Sequence, residues 1–429
     1  MAQEIKKEMA GVWGQSEDDV STKQSLHRQP QADSGAALQS FLDRIPISSL
    51  PGINNSPAQV FELRADHSVR DAVCLLYKNN VSGAPIADAP SDTARRFSDR
   101  YIGFVDLATL VLWSLEEIET DRNAQPLEEL SHQNDGHTSF FSMLDQNSRT
   151  RQTKVIELAK SFLLDPFLPV RLEDSLFHVL LLLSKHRVQV LPVIEPSKCQ
   201  VIGFVTQNAV IQLLLQSTGL EWFDSISDQA ISEYRFENED HMVCVYENQT
   251  VAEALLTLRE NQMGAIAVLN RKTRQLIGCF RSSDIYLLLD NDYVFHYRTS
   301  ITVEAFIHME PDDNARGDPT IDQDLRALLK PGLLCLKNGF YPRMDSPITS
   351  KKSDTLKQAM KKLEEAKCDS SFLLDNTGAV RGVLTSRDVI TQFAPPSTDS
   401  RFRGGHGFFE SALEQTGCHV EDGQLIQDK

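Results

Sequence analysis

The 429-residue sequence has few of the features that mark a catalyst, a secreted protein or a membrane protein. Its seven cysteines (Cys74, Cys199, Cys244, Cys279, Cys335, Cys368 and Cys418) stand singly, with no C-x-x-C pair. That spacing argues against a zinc site or a disulfide framework and for reduced thiols in an intracellular chain. The stretch MAQEIKKEMAGVWGQ at the start lacks the apolar run of a secretory signal. The longest greasy run, Leu176 to Leu183, is far shorter than the roughly 20 residues that span a bilayer. Cations are scarce: 43 Lys and Arg against 60 Asp and Glu give a net charge of -17, the wrong sign for holding nucleic-acid phosphates. Also missing are G-x-x-x-x-G-K-[ST], H-E-x-x-H, G-x-S-x-G and the HRD and DFG words of kinases. The expectation is a non-enzymatic protein of the cytoplasm or nucleus, with neither a membrane nor a nucleic acid as partner.

What the sequence has is repetition. With Ser68, Ser175, Thr250 and Thr355 as origins, apolar residues recur at the same steps: Val69, Leu176, Val251 and Leu356 one step on, and Leu76, Leu183, Leu258 and Leu363 eight steps on. The pairs Ala72-Val73, Val179-Leu180, Ala254-Leu255 and Ala359-Met360 fall between them. These spacings predict four amphipathic helices, each preceded by a hydroxyl residue suited to an N-cap. Seventeen steps from each origin a buried strand is predicted, at Pro85–Ala87, Pro192–Ile194, Ala267–Leu269 and Phe372–Leu374. A second strand follows around a glycine (YIGFV, VIGFV, LIGCF, VRGVL) and runs into a further helix. The predicted class is α/β (α+β), a helix–strand–turn–strand–helix unit used four times. One such unit cannot bury both faces of its small sheet, so the first two and the last two are expected to pair into two modules, each with its own core.

The repeats divide the chain as 41–120, 154–220, 221–292 and 346–395. Residues 1–40 are polar and expected to be disordered, and 396–429 reads as a flexible tail. The Asn-, Gln- and Ser-rich stretch 121–153 reads as a mobile, dispensable insert. Residues 293–345 connect the third and fourth units, with a short helix expected near Leu325–Leu329.

This pattern resembles cystathionine-beta-synthase (CBS) motifs, and four in one chain resemble the gamma regulatory subunits of AMP-activated and sucrose-non-fermenting-related protein kinases. DRYIGFVDLATLVLW, LFHVLLLLSKHRVQVLPVIEP and YRTSITVEAFI are similar to the plant branch, of the stand-alone gamma-like kind. The resemblance implies two Bateman modules in a pseudo-symmetric disc, clefts for AMP, ADP or ATP as regulatory ligand, and assembly with a catalytic alpha subunit and a beta scaffold subunit. The alternative is a free-standing CBS protein that senses an adenosyl ligand for another enzyme.

Two readings are open for the aspartates that follow the glycine strands. In T-x-x-D, Thr385 and Asp388 suit a helix cap. The resemblance adds a second use, acceptance of ribose hydroxyls by Asp388 and by Asp284. Thr206, Ser283 and Thr385 put hydroxyls near the same cleft, where simple capping is the plainer role. The first and second repeats carry Thr109 and Ala209 at the matching place. The animal subunits have a His-Arg pair before the second strand of a repeat, but here Gln189-Val190 and Asp369-Ser370 stand there. Asp369 opposes a phosphate, so the adenosine part, held in the module of repeats 3 and 4, is the expected handle.

Overall fold

The computed structural model describes residues 40–50, 53, 60–88, 100–124, 139–158, 164–195, 197, 200–236, 242–309, 334–336 and 342–394, together with the backbone of 418–421 and 424–427. Residues 1–39, the expected helix near Leu325 and most of the tail lie outside the described residues.

In the first repeat β1 (Leu63–Arg64) leads to α1 (Val69–Lys78), the strands β2 (Gly83–Ala87) and β3 (Tyr101–Asp106), and the long α2 (Leu107–Ala124). Three short helices follow, α3 (Phe140–Gln146), α4 (Ser148–Gln152) and α5 (Val155–Leu158). The second repeat comprises β4 (Val170–Arg171), α6 (Leu176–Lys185), β5 (Val190–Glu195), β6 (Gln200–Thr206) and α7 (Gln207–Leu215), with α8 (Glu221–Ser227) behind it. The third has β7 (Cys244–Tyr246), α9 (Val251–Asn261), β8 (Ala265–Leu269), β9 (Leu276–Arg281) and α10 (Tyr286–Asp290), then α11 (Asp292–His296) and α12 (Val303–Ile307). The fourth runs β10 (Thr349–Lys351), α13 (Leu356–Glu365), β11 (Ser370–Leu374), β12 (Val380–Thr385) and α14 (Ser386–Phe393). Strands β13 (Cys418–Glu421) and β14 (Gln424–Gln427) form a separate hairpin.

All four predicted helices begin one residue after their hydroxyl origins. Ser68, Ser175, Thr250 and Thr355 each accept the backbone N–H three residues on, and the last two form complete capping boxes with Glu253 and Gln358. Each repeat also has a short first strand, parallel to the second, that its two or three residues gave no periodicity to predict. The sheet order is first–second–third strand in every repeat.

Between these units the chain exchanges segments. The backbone before repeat 1 bonds to the start of α6 in repeat 2 (Ile47 N–H to Asp174 O, 2.9 Å), and that before repeat 2 bonds to the start of α1 (Val155 N–H to His67 O, 2.9 Å). Repeats 3 and 4 exchange in the same way, through Ile231 N–H to Asp354 O at 2.8 Å and Val303 N–H to Gln249 O at 2.8 Å. Such reciprocity makes repeats 1 and 2 one module and repeats 3 and 4 another.

The expected private core of each module is only partly what is found. Sheet faces do pack within modules: Tyr101 and Phe104 meet Val201 and Phe204, and Ala267 and Cys279 meet Phe372 and Val383. The two larger cores cross between modules instead. Helices of repeat 1 pack on those of repeat 3, and helices of repeat 2 on those of repeat 4. The reason is geometric, because a sheet face already covered by its partner leaves the apolar helix stripes to find other helices. Four contacts, two through sheets and two through helices, thus close a ring of four repeats. The 121–153 stretch also departs from expectation. Its last part forms α3 and α4, with Phe140 and Leu144 fully buried in the core of repeats 1 and 3. A short apolar word, FFSML, decides this against the polar composition around it.

Candidate functional site

The site to be judged is the junction where each glycine strand meets its helix. In odd-numbered repeats the glycine itself answers to packing. The Phe104 N–H and C=O pair with Asp165 (2.9 Å each), and Cys279 N–H donates to Met344 O at 2.8 Å, so the approach to the next repeat lies against the strand. A Cβ on Gly103 would come 2.9 Å from Asp165 O, and one on Gly278 would come 2.9 Å from Met344 O. Gly203, in repeat 2, meets nothing within 4 Å.

Beyond the glycine, a side-chain pair three residues apart locks three of the four junctions. In repeat 4 the Thr385 N–H and O–H both donate to Asp388 Oδ2 (2.8 and 2.6 Å), and Asp388 N–H returns a bond to Thr385 Oγ1 (3.1 Å). Repeat 1 has the same pair reversed: Asp106 sits at the cap and accepts from Thr109 N–H and Oγ1 at 2.7 and 2.8 Å. The first repeat therefore keeps its carboxylate, three residues earlier than the sequence comparison sought it. Repeat 3 replaces the cap with an ion pair, Arg281 to Asp284 at 2.6 and 3.1 Å, and Arg281 also reaches Pro342 O. Repeat 2 has the plain cap alone, Thr206 Oγ1 accepting from Ala209 N–H at 3.2 Å.

Burial pushes the Asp388 carboxyl above its ordinary range, and the Thr385 bonds pull the other way. Asp284 is raised by burial as well, against the pull of Arg281. Of the two, Asp284 has both oxygens bonded to Arg281, whereas the Asp388 bonds to Thr385 fall on Oδ2, so Oδ1 is the oxygen a ribose hydroxyl would use. Ser283 lies half-buried between Ser282 and Asp284.

The loops before the second strands converge on the same region from repeats 2, 3 and 4. Asn208, in the first turn of α7, donates to Asp369 Oδ1 at 2.9 Å, and Ser386 N–H donates to Asp369 O at 2.8 Å. A Cβ on Gly264 would lie 3.8 Å from Gln189 Nε2. Asn208, two residues after Thr206, and Ser386, next to Thr385, thus meet at Asp369, and Arg281, the partner of Asp284, reaches the same loop at Cys368 Sγ (4.0 Å). The Asp369 side chain reaches solvent, yet the protein walling it pushes its carboxyl up to about 6. In repeat 1 the equivalent loop is closed by main chain: Ser82 N–H donates to Leu334 O (2.9 Å) and Leu336 N–H to Asn80 O (3.0 Å). Arg281, Asn208 and the Asp106–Thr109 reversal escaped the sequence reading, although the i, i+3 spacing of opposite charges in RSSD was a visible signal.

Comparison with known proteins agrees with this architecture. The CBS domain family matches residues 159–216, 237–291 and 343–394. The remaining repeat, over 63–124, has the same order of elements. An Arabidopsis thaliana SNF1-related protein kinase regulatory subunit gamma-1 is 27% identical over 387 residues, 85% of each chain. A gamma-1-like regulatory subunit from the same plant is 26% identical over 84% of this chain and 88% of its own length. Among solved structures, a Methanocaldococcus jannaschii protein put forward as an archaeal homolog of g-AMPK superposes with a TM-score of 0.52 at 13% identity, covering 82% of this chain and 100% of that one, a likeness of fold. No helix among the described residues is long and apolar enough to cross a membrane. Three of the four repeats match the CBS domain family, and along most of its length the chain is similar to plant gamma-type regulatory subunits of SNF1-related kinases.

Proposed function

We propose that the chain serves, without catalysis of its own, as the gamma-type regulatory and scaffold subunit of a SNF1-related serine/threonine kinase, holding a catalytic alpha subunit and a beta subunit in the cytoplasm or nucleus. The observation that carries this reading is the extent of the match to the Arabidopsis gamma-1 subunit, 85% of both chains, which takes in far more than three CBS stretches. The closed ring adds support, since a partner surface built across repeats needs all four held in fixed relation. Co-expression with the Arabidopsis catalytic and beta subunits, followed by size exclusion, tests it. One complex containing all three chains is expected. Elution of this chain alone, where Arabidopsis gamma-1 assembles, rejects the proposal.

As regulatory ligand, AMP, ADP or ATP would bind weakly in the module of repeats 3 and 4 through the adenosine part, with Asp284, Asp388 Oδ1 and the hydroxyls of Ser283 and Thr385 as candidate contacts and Thr206 of repeat 2 as a further one from beside that module. Asp369 stands where a phosphate would want a cation, so calorimetry should find adenosine and ATP of similar affinity. A preference for ATP of roughly a thousandfold, some 4 kcal/mol, points instead to a phosphate site and overturns this assignment.

A further inference from the structure

We infer that the exposed cluster Leu256, Tyr293 and Tyr297 on repeat 3 is a docking patch for a basic, apolar segment of the kinase–beta pair; this rests on the proposed function. Among the described residues, the large hydrophobic side chains left exposed are Ile156 (37%), Leu256 (52%), Tyr293 (53%) and Tyr297 (40%). Single exposed apolar residues are ordinary, but two paired tyrosines with a third such residue on the adjoining helix are not. The Tyr293 and Tyr297 rings lie 4.7 Å apart, and His296 meets Tyr297 edge-on at 4.7 Å. Leu256 lies one helical turn beyond Ala252, whose N–H donates to the carbonyl of Arg298, the neighbour of Tyr297. The tyrosines are held outward because Val294 and Phe295, which lie between them, are buried, while His296 is exposed. Such rigid aromatic area loses little entropy on binding and is typical of the residues that dominate interfaces.

Charge selects the partner. Exposed Glu253 and Glu260 flank Leu256 on α9, and exposed Asp292 adjoins Tyr293. The nearby guanidiniums are spoken for: Arg259 pairs with Glu116, and Arg298, 3% exposed, pairs with Glu119 at 3.2 Å. An acidic rim around tyrosine faces complements Arg or Lys, through both charge and cation–π attraction.

Biolayer interferometry with the recombinant Arabidopsis kinase–beta heterodimer as probe tests the patch on the full chain. The Tyr293→Ser/Tyr297→Ser double variant should bind at least about tenfold more weakly with an unchanged melting temperature. Asp292→Lys should slow association, and Ile156→Ser, away from the patch, should leave binding unaltered. Equal binding by the native chain and the double variant overturns this inference alone. Failure of the native chain to bind, where gamma-1 does, overturns the proposed function with it. A native dimer that the double variant dissolves, seen by light scattering, makes a second copy the occupant and likewise rejects the kinase–beta pair.

Discussion

Where repeats 1 and 3 meet, Glu116, Glu117, Glu119 and Asp121 crowd the last turns of α2 and are met by Arg259, Arg149, Arg298 and Asn147 from three other parts of the chain. Where repeats 2 and 4 meet, the contact is chiefly apolar, with Phe223 and Phe393 stacked at 5.5 Å and Lys357 beside Asp224 and Asp228 at the margin. Carboxylates at a helix C-terminus oppose the helix dipole and need cations nearby. Their presence makes the first contact selective: α2 fits only beside elements that supply arginine. The second contact has charge only at its margin, at Lys357, and relies chiefly on shape. Of two joints that close one ring, one is specified by charge and the other by packing.

The largest test of that contrast removes ring volume from each side. Phe140→Ala and Phe223→Ala should each cost about 3–5 kcal/mol in urea unfolding, since both side chains are fully buried. A loss below about 1 kcal/mol for Phe140→Ala would return the 139–152 segment to the status of a dispensable insert.

A charge test separates the two joints. Arg298 is 3% exposed, donates to Phe295 O at 2.9 Å and lies 4.6 Å from the Phe295 ring centroid. Arg298→Met should cost about 1–3 kcal/mol, and Lys357→Met, where the lysine is itself less deeply buried than Arg298, less than about 1 kcal/mol. Equal losses would erase the distinction between the charged and the apolar joint.

Smaller again is the junction lock. Asp388→Ala should lower stability by roughly 1 kcal/mol, the usual worth of a cap. If calorimetry also finds nucleotide binding unchanged in this variant, the ribose role of Asp388 fails and the cap alone stands.

A further effect depends on pH. Burial, then the nearby Asp106 carboxylate, pushes the Asp165 carboxyl up to about 6. A carboxyl whose folded pKa is raised binds protons more readily in the folded chain, so its contribution is favourable at low pH and is lost as pH rises from about 4 through 6. Asp165→Asn should therefore raise the melting temperature at pH 7.5 and lose that advantage near pH 4. A gain that is the same at both pH values would show that charge at Asp165 is not the cause.

The sequence made some of this plain and hid the rest for identifiable reasons. Four helices with their caps were legible because Ser68, Ser175, Thr250 and Thr355 head long runs of regular period. Strands around Gly103, Gly203, Gly278 and Gly382 were legible because apolar runs between turn residues admit few alternatives. Parallel strands such as Leu63–Arg64 were too short to carry a period. The crossing of the helix cores was hidden because an apolar stripe states that a face is buried, not against which repeat. Roles at the site were hidden for a similar reason. The aspartate of repeat 1 was sought at Thr109, but the lock tolerates exchange of its two members, and only the hydrogen bonds at Asp106 reveal that.

That the ring behaves as one unit, although its two joints differ in kind, is the claim on which the rest depends. The tryptophans offer a direct probe, since Trp113 packs against the core of repeats 1 and 3 while Trp222 lies in the core of repeats 2 and 4. Trp13 and one of the pair would be replaced by Phe, leaving a single reporter in each variant, and urea unfolding followed by fluorescence. A closed ring predicts coincident transitions for the two reporters, the signature of an all-or-none process. Two separated midpoints, with Trp222 or Trp113 unfolding while the other core stays intact, would contradict it.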